Sequence, residues 1–554
     1  MSMNLWDQLL DPPHPDNELN TWVGDRFEPT SWGDITKQAH RKAAGLRKLG
    51  IGEGSNVACI LTNTRDVCAS ILGVWIAGGT VVSLPVPARG MAIPDYQDQL
   101  GRICDQVDAQ LLLTEEKFGS LLAMLEGGPP GAVCELLDGE SAAATPPKLD
   151  ASALIQYSSG TTEEPRGCIL SAAAIGNHLE RLTEKMDIDP AVDGGVSWLP
   201  LSHDMGLFGS LMVAWTTGGP LALGTPERFL ASPRTWIQDC VDFGATITVG
   251  PTFGAKLAAR AAAVSPPDGE LKLRIWIVGS DHVEAEALES IHRVFGPSGL
   301  TRAAMSPAYG LAEATLAVTM SEPGQEPVSL VVDGKALVAG TLREVPSDHP
   351  DARRIVASGT ALRDTEIRID PSDQAEISSP GFGREVGEIC VRAPGLASGY
   401  HARPEKTAER FVDGELRTGD LGFLDGEQLY VLGRRDDMFV VAGRNVHAGE
   451  LEAVIMLQPG VRPGGVALVD MPGDRDRIAC LLETDPGFEN TLGLARTISE
   501  ITLARAGVRV RECIFVARGM LPKTPSGKAQ RYRCRELAVA DDDDDDRILE
   551  RIRL

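Results

Sequence analysis

The chain lacks several features that would place it in a class at once. Its ten cysteines are scattered without a Cys-x-x-Cys pair, so neither a zinc site nor a disulfide frame is expected, and reduced thiols fit a cytoplasmic location. Positive charge is scarce: 53 Lys and Arg face 78 Asp and Glu, giving a net charge of −25 and a pI near 4.8. That balance argues against nucleic acid or an anionic membrane surface as a partner. The opening residues, Met1 to Gln8, carry no basic segment followed by an apolar stretch, so no secretion signal is expected. The Gly-Lys-Ser/Thr spacing of a Walker-type phosphate loop is absent as well. Val67 to Ala88 is uncharged and long enough to raise the membrane question. Gly78-Gly79 interrupts it and Pro85 and Pro87 end it, which predicts a buried helix followed by a buried strand, with no membrane span.

What is present is an ordinary globular composition, 554 residues with 43% hydrophobic and 24% charged, enough for several subdomains. Helical apolar runs such as Ile35–Leu49 alternate with strand-like runs such as Asn56–Leu61 and Ala245–Val249, the mark of α/β layers with mostly parallel sheets. Ser321 to Arg363 breaks that rhythm with Pro, Gly, Asp and Ser around a strand-like Val328–Val332. Strand-like Gln428–Leu432 then runs into Arg434-Arg-Asp-Asp437, which suggests a large domain over 1–433 and a small α/β lid over 434–554. The acidic run Asp541–Asp546 reads as a solvated tail segment.

The stretch Gln156-Tyr-Ser-Ser-Gly-Thr-Thr-Glu-Glu-Pro-Arg-Gly-Cys168 concentrates small hydroxyl residues and glycines. Ser158, Ser159, Gly160, Thr161, Thr162 and Gly167 offer N–H and O–H groups that can close on anionic oxygens. Apolar runs on both sides predict that the loop joins two strands.

Four later stretches accompany it: Ser197-Trp-Leu-Pro-Leu-Ser-His-Asp-Met-Gly-Leu207, Ala308-Tyr-Gly-Leu-Ala-Glu-Ala-Thr315, Leu416-Arg-Thr-Gly-Asp-Leu-Gly422 with Gly433–Asp437, and Leu521-Pro-Lys-Thr-Pro-Ser-Gly-Lys528. Together, and in this order, they resemble the adenylate-forming superfamily of acyl-CoA synthetases, peptide-synthetase adenylation domains and luciferases. The His-Asp-Met-Gly-Leu and Gly-Arg-Asn forms bring the fatty acyl-AMP ligases nearest. The resemblance spans about Trp32 to Tyr532 and implies a large α/β domain with a mobile C-terminal domain.

The resemblance also implies roles. Lys528 would bridge the carboxylate and the α-phosphate during adenylation, and Glu313 would hold Mg²⁺. The loop residues Ser158 to Thr162, with Arg166, Gly279, Ser280, Ala308, Tyr309, Gly310 and Leu311, would surround ATP. Asp420 would accept both ribose hydroxyls beside Arg434. His203 would gate the acyl pocket or serve as a buried structural histidine; Gly206, Phe208, Met212 and Phe253 would line the pocket or form plain core. Asp436 would be the hinge between two half-reactions, with Gly443 and Arg444 then facing a thiol tunnel. Ser321–Arg363 would be the insertion that distinguishes fatty acyl-AMP ligases.

One departure bears on function. Glu163 stands where most relatives carry glycine, Glu164 follows, and Arg166 replaces the usual lysine. At about 5 Å and an effective dielectric near 20, each glutamate would oppose each phosphate charge by roughly 3 kcal/mol before screening. Either both glutamates face water and the chain adenylates acids with ATP, or they weaken that step and the chain works on preformed acyl-AMP. The expected acceptor is CoA, with a carrier protein as the alternative; a non-catalytic acyl-nucleotide binding protein is a third reading.

Overall fold

The computed structural model describes residues 4–87, 93–122, 128–157, 166–338, 341–371, 384–435, 438–441, 444–471, 474–506, 508–523, 529–540 and 547–554. The largest sheet has nine strands. Its central members, Met305–Gly310, Ile275–Gly279, Ile247–Pro251, Gly195–Ser197, Leu221–Leu223 and Glu18–Val23, run parallel, and antiparallel strands flank them at both edges. A second sheet of six strands runs in the order Gly131–Val133, Leu111–Thr114, Asn56–Ile60, Thr80–Leu84, Ser152–Tyr157, Gly167–Ser171. In it, Ser152–Tyr157 and Gly167–Ser171 pair antiparallel, so the hydroxyl-rich loop does join two strands, as its apolar flanks predict.

Helix Arg65–Ala77 shows how the apolar run at Val67 is used. Thr64 caps its first turn by accepting a hydrogen bond from the Val67 N–H (3.4 Å), and Gly78 ends it with a left-handed φ of +102°. Every residue from Val67 to Ala77 is buried, and the strand Thr80–Leu84 that follows is buried throughout. Among the described residues no helix is long and apolar enough to cross a membrane. All ten cysteines are buried and unpaired.

Two elements depart from the expected α/β rhythm. Five strands lying between residues 366 and 434 form an antiparallel sheet, because strands such as Glu415–Asp425 and Gln428–Arg434 are joined by a turn too short for a crossover helix. Inside Ser321–Arg363, the hairpin Ser329–Asp333 with Ala352–Val356 carries a short helix, Gly334–Val338, whose first turn is capped by Asp333 accepting from the Ala336 N–H at 2.9 Å. Beyond residue 447 a mixed four-stranded sheet, Val461–Met471, Asp474–Thr484, Val510–Val516 and Ile548–Arg553, has cores made wholly of its own part of the chain.

Candidate functional site

The C-terminal ends of neighbouring parallel strands are where open α/β sheets bind ligands. Here Ile275–Gly279 and Met305–Gly310 end side by side, and glycine is what lets them. A Cβ on Gly279 would lie 2.8 Å from the Ala308 carbonyl oxygen, and one on Gly310 would lie 1.8 Å from that of Leu316. Ser280 follows with a left-handed φ of +67°. Asp281 then accepts hydrogen bonds from the N–H groups of Thr252 (2.7 Å) and Phe253 (3.1 Å), fixing the start of helix Thr252–Val264 against the same sheet edge.

Glu313 sits in a tightly constrained loop. Leu311 N–H donates to the Leu316 carbonyl at 2.8 Å, closing the segment, and Thr315 adopts φ +68° and ψ −56°. Leu316 N–H donates to Ala314 O at 2.8 Å, so this is a γ-turn of the disfavoured hand on a β-branched residue, a strain of about 1–3 kcal/mol. The Thr315 hydroxyl, donating to Gly395 O at 2.7 Å, helps hold it.

The Glu313 carboxylate accepts the Tyr400 hydroxyl at 2.7 Å. Tyr400 is brought there by main-chain pairing: Ile169 N–H donates to Gly399 O at 3.0 Å, laying Tyr400 beside the strand that leaves the hydroxyl-rich loop. The Arg166 guanidinium lies 5.7 Å from the Tyr400 ring centre. Glu313, Tyr400 and Arg166 therefore converge.

Asp420 forms the other wall. Antiparallel register places it opposite Arg434, whose Nε lies 3.3 Å from Oδ1, and the Tyr309 hydroxyl donates to Oδ2 at 2.6 Å. Gly419, at φ +74°, donates its N–H to Glu388 (2.9 Å), and a Cβ there would meet Arg410 at 2.5 Å. Burial, then the neighbouring Asp420 charge, pushes the Tyr309 phenol well above its ordinary range; burial, then Glu313, does the same to Tyr400. Both phenols stay protonated at neutral pH and act as donors to carboxylates.

The donor set suits Mg²⁺ held largely by phosphate and water, an ion that needs only one or two protein carboxylates. Glu313 is a single half-buried carboxylate, and no group of three or more His, Cys, Asp or Glu side chains able to hold a metal occurs among the described residues. Each oxygen of a carboxylate such as that of Asp420 has two lone pairs, a geometry that suits a vicinal diol.

His203 caps the short helix Asp204–Gly206, its Nδ1 2.6 Å from Asp204 Oδ1 and 3.3 Å from the Met205 N–H. The histidine expected at a gate is thus also a local structural group. A Cβ on Gly206 would lie 2.3 Å from Pro200 O, so that glycine serves close packing. Phe208 and Met212 are fully buried in a π-helical turn, Leu207–Met212, and Phe253 is half-buried. Ser158, Ser159, Gly160, Thr161, Thr162, Glu163, Glu164, Asp436, Gly443, Lys528 and Asp541–Asp546 lie outside the described residues. Arg444 begins the strand Arg444–His447.

Sequence reasoning missed Tyr400 and Asp281. Gly399-Tyr400 carries no chemistry until strand pairing sets it against Glu313; Asp281, an acid just past a strand end with Gly279-Ser280, was the more readable signal.

The model of the AMP-binding enzyme family matches residues 13–401. The 4-hydroxyphenylalkanoate adenylyltransferase of Mycobacterium marinum is 30% identical over 92% of this chain and 86% of its own length. A long-chain-fatty-acid–AMP ligase of Mycobacterium tuberculosis is 29% identical over 95% of each chain. A solved structure from a study of fatty acyl-adenylate ligases of E. coli and L. pneumophila has a TM-score of 0.87 and 23% identity, covering 97% of this chain and 98% of that one, which shows the shared fold.

Proposed function

The chain belongs to the AMP-binding enzyme family, and from that premise we propose that it activates a carboxylic acid with ATP and Mg²⁺ and delivers the acyl group to a carrier-protein thiol. The acid-activating ligase class is established by the family and its acyl-AMP ligase relatives; the acceptor and the residue roles are our reading. The observation that carries the acceptor is the hairpin-and-helix element Ser329–Val356, which stands where the resemblance places the acyl-AMP ligase insertion. The relatives' names, long-chain fatty acid and 4-hydroxyphenylalkanoate, indicate a substrate with an extended or aryl-bearing acyl group.

In this reading Asp420 holds the ribose diol while Tyr309 and Arg434 fix the carboxylate's orientation. Glu313 would hold Mg²⁺, which would supply positive charge to offset that of the phosphates. Tyr400 orients Glu313 by its hydrogen bond, and Arg166 adds positive charge where a chain of net charge −25 would otherwise repel a polyanion. Lys528 would bring a second positive charge to the attacking carboxylate. Residues 1–433 and 434–554 would be the two domains, turning about Asp436 between half-reactions.

The rival reading, CoA as acceptor with a weakened adenylation step, rests on Glu163 and Glu164. ATP–pyrophosphate exchange over a panel of acids separates the two, with acylation of CoA and of a phosphopantetheinylated carrier protein measured in parallel. Strong exchange and acylation of the carrier alone support the proposal. No exchange in the native chain, appearing on Glu163→Gly with Arg166→Lys, would favour the rival.

A further inference from the structure

On the side that the adenylating reading gives to the acyl chain, two elements face each other, and the side chains of one can be read from register. Val249, Ile277 and Ser306 are lateral neighbours on three adjacent parallel strands, so they point to the same face of the sheet. That face looks at the segment Asp204–Met212. A Cβ on Gly209 would lie 4.0 Å from Val249 Cγ2 and 3.1 Å from Leu316 Cδ2, and one on Gly279, two residues past Ile277, would lie 3.7 Å from Met205 Cε. In that reading the carboxylate is activated beside Gly279, Ala308 and Glu313. Ser306, two residues before Ala308, lies on the same face about 7 Å deeper.

Ser306 is fully buried, and its hydroxyl has no hydrogen-bond partner. Ser210, next to Gly209 on the facing π-helical turn, is 5% exposed, and its hydroxyl is unpartnered too. Buried hydroxyls normally find partners, because leaving one unsatisfied is unfavourable. Thr248 and Thr319, equally buried on strands of this sheet, follow the rule by donating to main-chain carbonyls at 2.7 Å each. Four other buried hydroxyls, those of Thr62, Thr114, Ser152 and Thr252, are unpartnered too; Ser306 and Ser210 lie on the two facing elements just described, with the apolar Leu207, Phe208, Leu211 and Met212 on the same turn as Ser210.

We propose that this region selects an acid whose chain carries an oxygen, a hydroxyl or carbonyl, about five or six carbons from the carboxylate, and that Ser306, with Ser210, hydrogen-bonds it. The inference rests on the adenylating reading for the position of the carboxylate. It adds a polar subsite within an otherwise apolar pocket. A site built to bond a substrate oxygen rejects the analogue that lacks it, since the protein group is then left buried and unpaired.

The test uses the full chain and two readouts. One is binding of the non-reactive adenylate mimics hexanoyl- and 5-oxohexanoyl-sulfamoyladenosine by calorimetry. The other is pyrophosphate release with hexanoate, 5-oxohexanoate, 6-hydroxyhexanoate and dodecanoate. The oxo mimic is expected to bind roughly tenfold tighter or more, with kcat/KM following the same order. Ser306→Ala should bring that ratio close to one while keeping or raising Tm in the ligand-free protein, because it deletes an unpaired buried group; a structural serine would instead lose Tm. Ser210→Ala repeats the measurement on the facing turn. Equal affinity for the two mimics, no binding of either, or a ratio that survives both substitutions overturns the proposal. Selective binding without pyrophosphate release would keep the subsite and overturn the adenylation reading instead.

Discussion

On the adenylating reading, the nucleotide end and the acyl end of the candidate site treat their polar groups in opposite ways. At the nucleotide end, Asp420 is held by Tyr309 at 2.6 Å and by Arg434, and Glu313 is held by Tyr400 at 2.7 Å. At the acyl end, the hydroxyls of Ser306 and Ser210 are buried and left without partners. The difference separates two kinds of preparation. On that reading, groups that would meet the same ribose and phosphates in every turnover are preorganised by one another, which lowers the reorganisation needed on binding. Groups proposed to read the acyl chain would be left for the substrate to complete.

The strongest way to break this contrast is at Asp420. Asp420→Ala removes the acceptor for two ribose hydroxyls, each worth about 1.5–3 kcal/mol as a charge-assisted bond, so affinity for a sulfamoyladenosine mimic should fall at least a hundredfold. Calorimetry checks it, and unchanged affinity would take Asp420 out of the site.

The scaffold behind Glu313 gives the next largest effect. His178 is buried, and Ala317 N–H donates to its Nε2 at 3.4 Å, just past the Thr315 turn. Burial lowers its pKa to about 4 from the usual 6.5. The unfolded chain therefore takes a proton below pH 6.5 that the folded chain refuses, and stability falls as pH drops from 6.5 towards 4, by up to roughly 3 kcal/mol. Denaturant melts across that window should show the slope, and His178→Gln should flatten it.

Tyr400→Phe is the smallest and most selective change. It leaves the ring beside Arg166 and deletes one hydrogen bond to a carboxylate, about 1.5 kcal/mol, so kcat/KM should fall about tenfold. If Tyr400 positions Glu313 for the metal, the Mg²⁺ concentration for half-maximal activity should rise, while affinity for a sulfamoyladenosine mimic measured without Mg²⁺ stays constant. A fall in mimic affinity alone would place Tyr400 in nucleotide binding.

Several residues of the candidate site could be named before the fold was known. Tyr309, Gly310, Glu313, Asp420 and Arg434 stand in short motifs, and the fold puts Asp420 against both Tyr309 and Arg434. Tyr400 was not legible, because it reaches Glu313 by main-chain pairing with residue 169, more than two hundred positions away. The antiparallel sheet over 366–434 was missed for a related reason. Strand-like runs announce themselves by alternation, but the direction of pairing depends on the turn and on which edge is free.

By itself the sequence determined the chemistry on offer: the hydroxyl-rich loop, a lone acid after Tyr-Gly, an acid after Thr-Gly, and an excess of acidic over basic residues. Such choices are local, set by residue type and near-neighbour spacing. Only the tertiary structure decided which of these groups meet and which are left alone. The Ser306 hydroxyl looks no different in sequence from that of Thr248; one has a carbonyl within reach and the other does not. A hydrogen bond depends on distance and angle between atoms far apart in the chain, and those are fixed when the sheet and its facing helices pack.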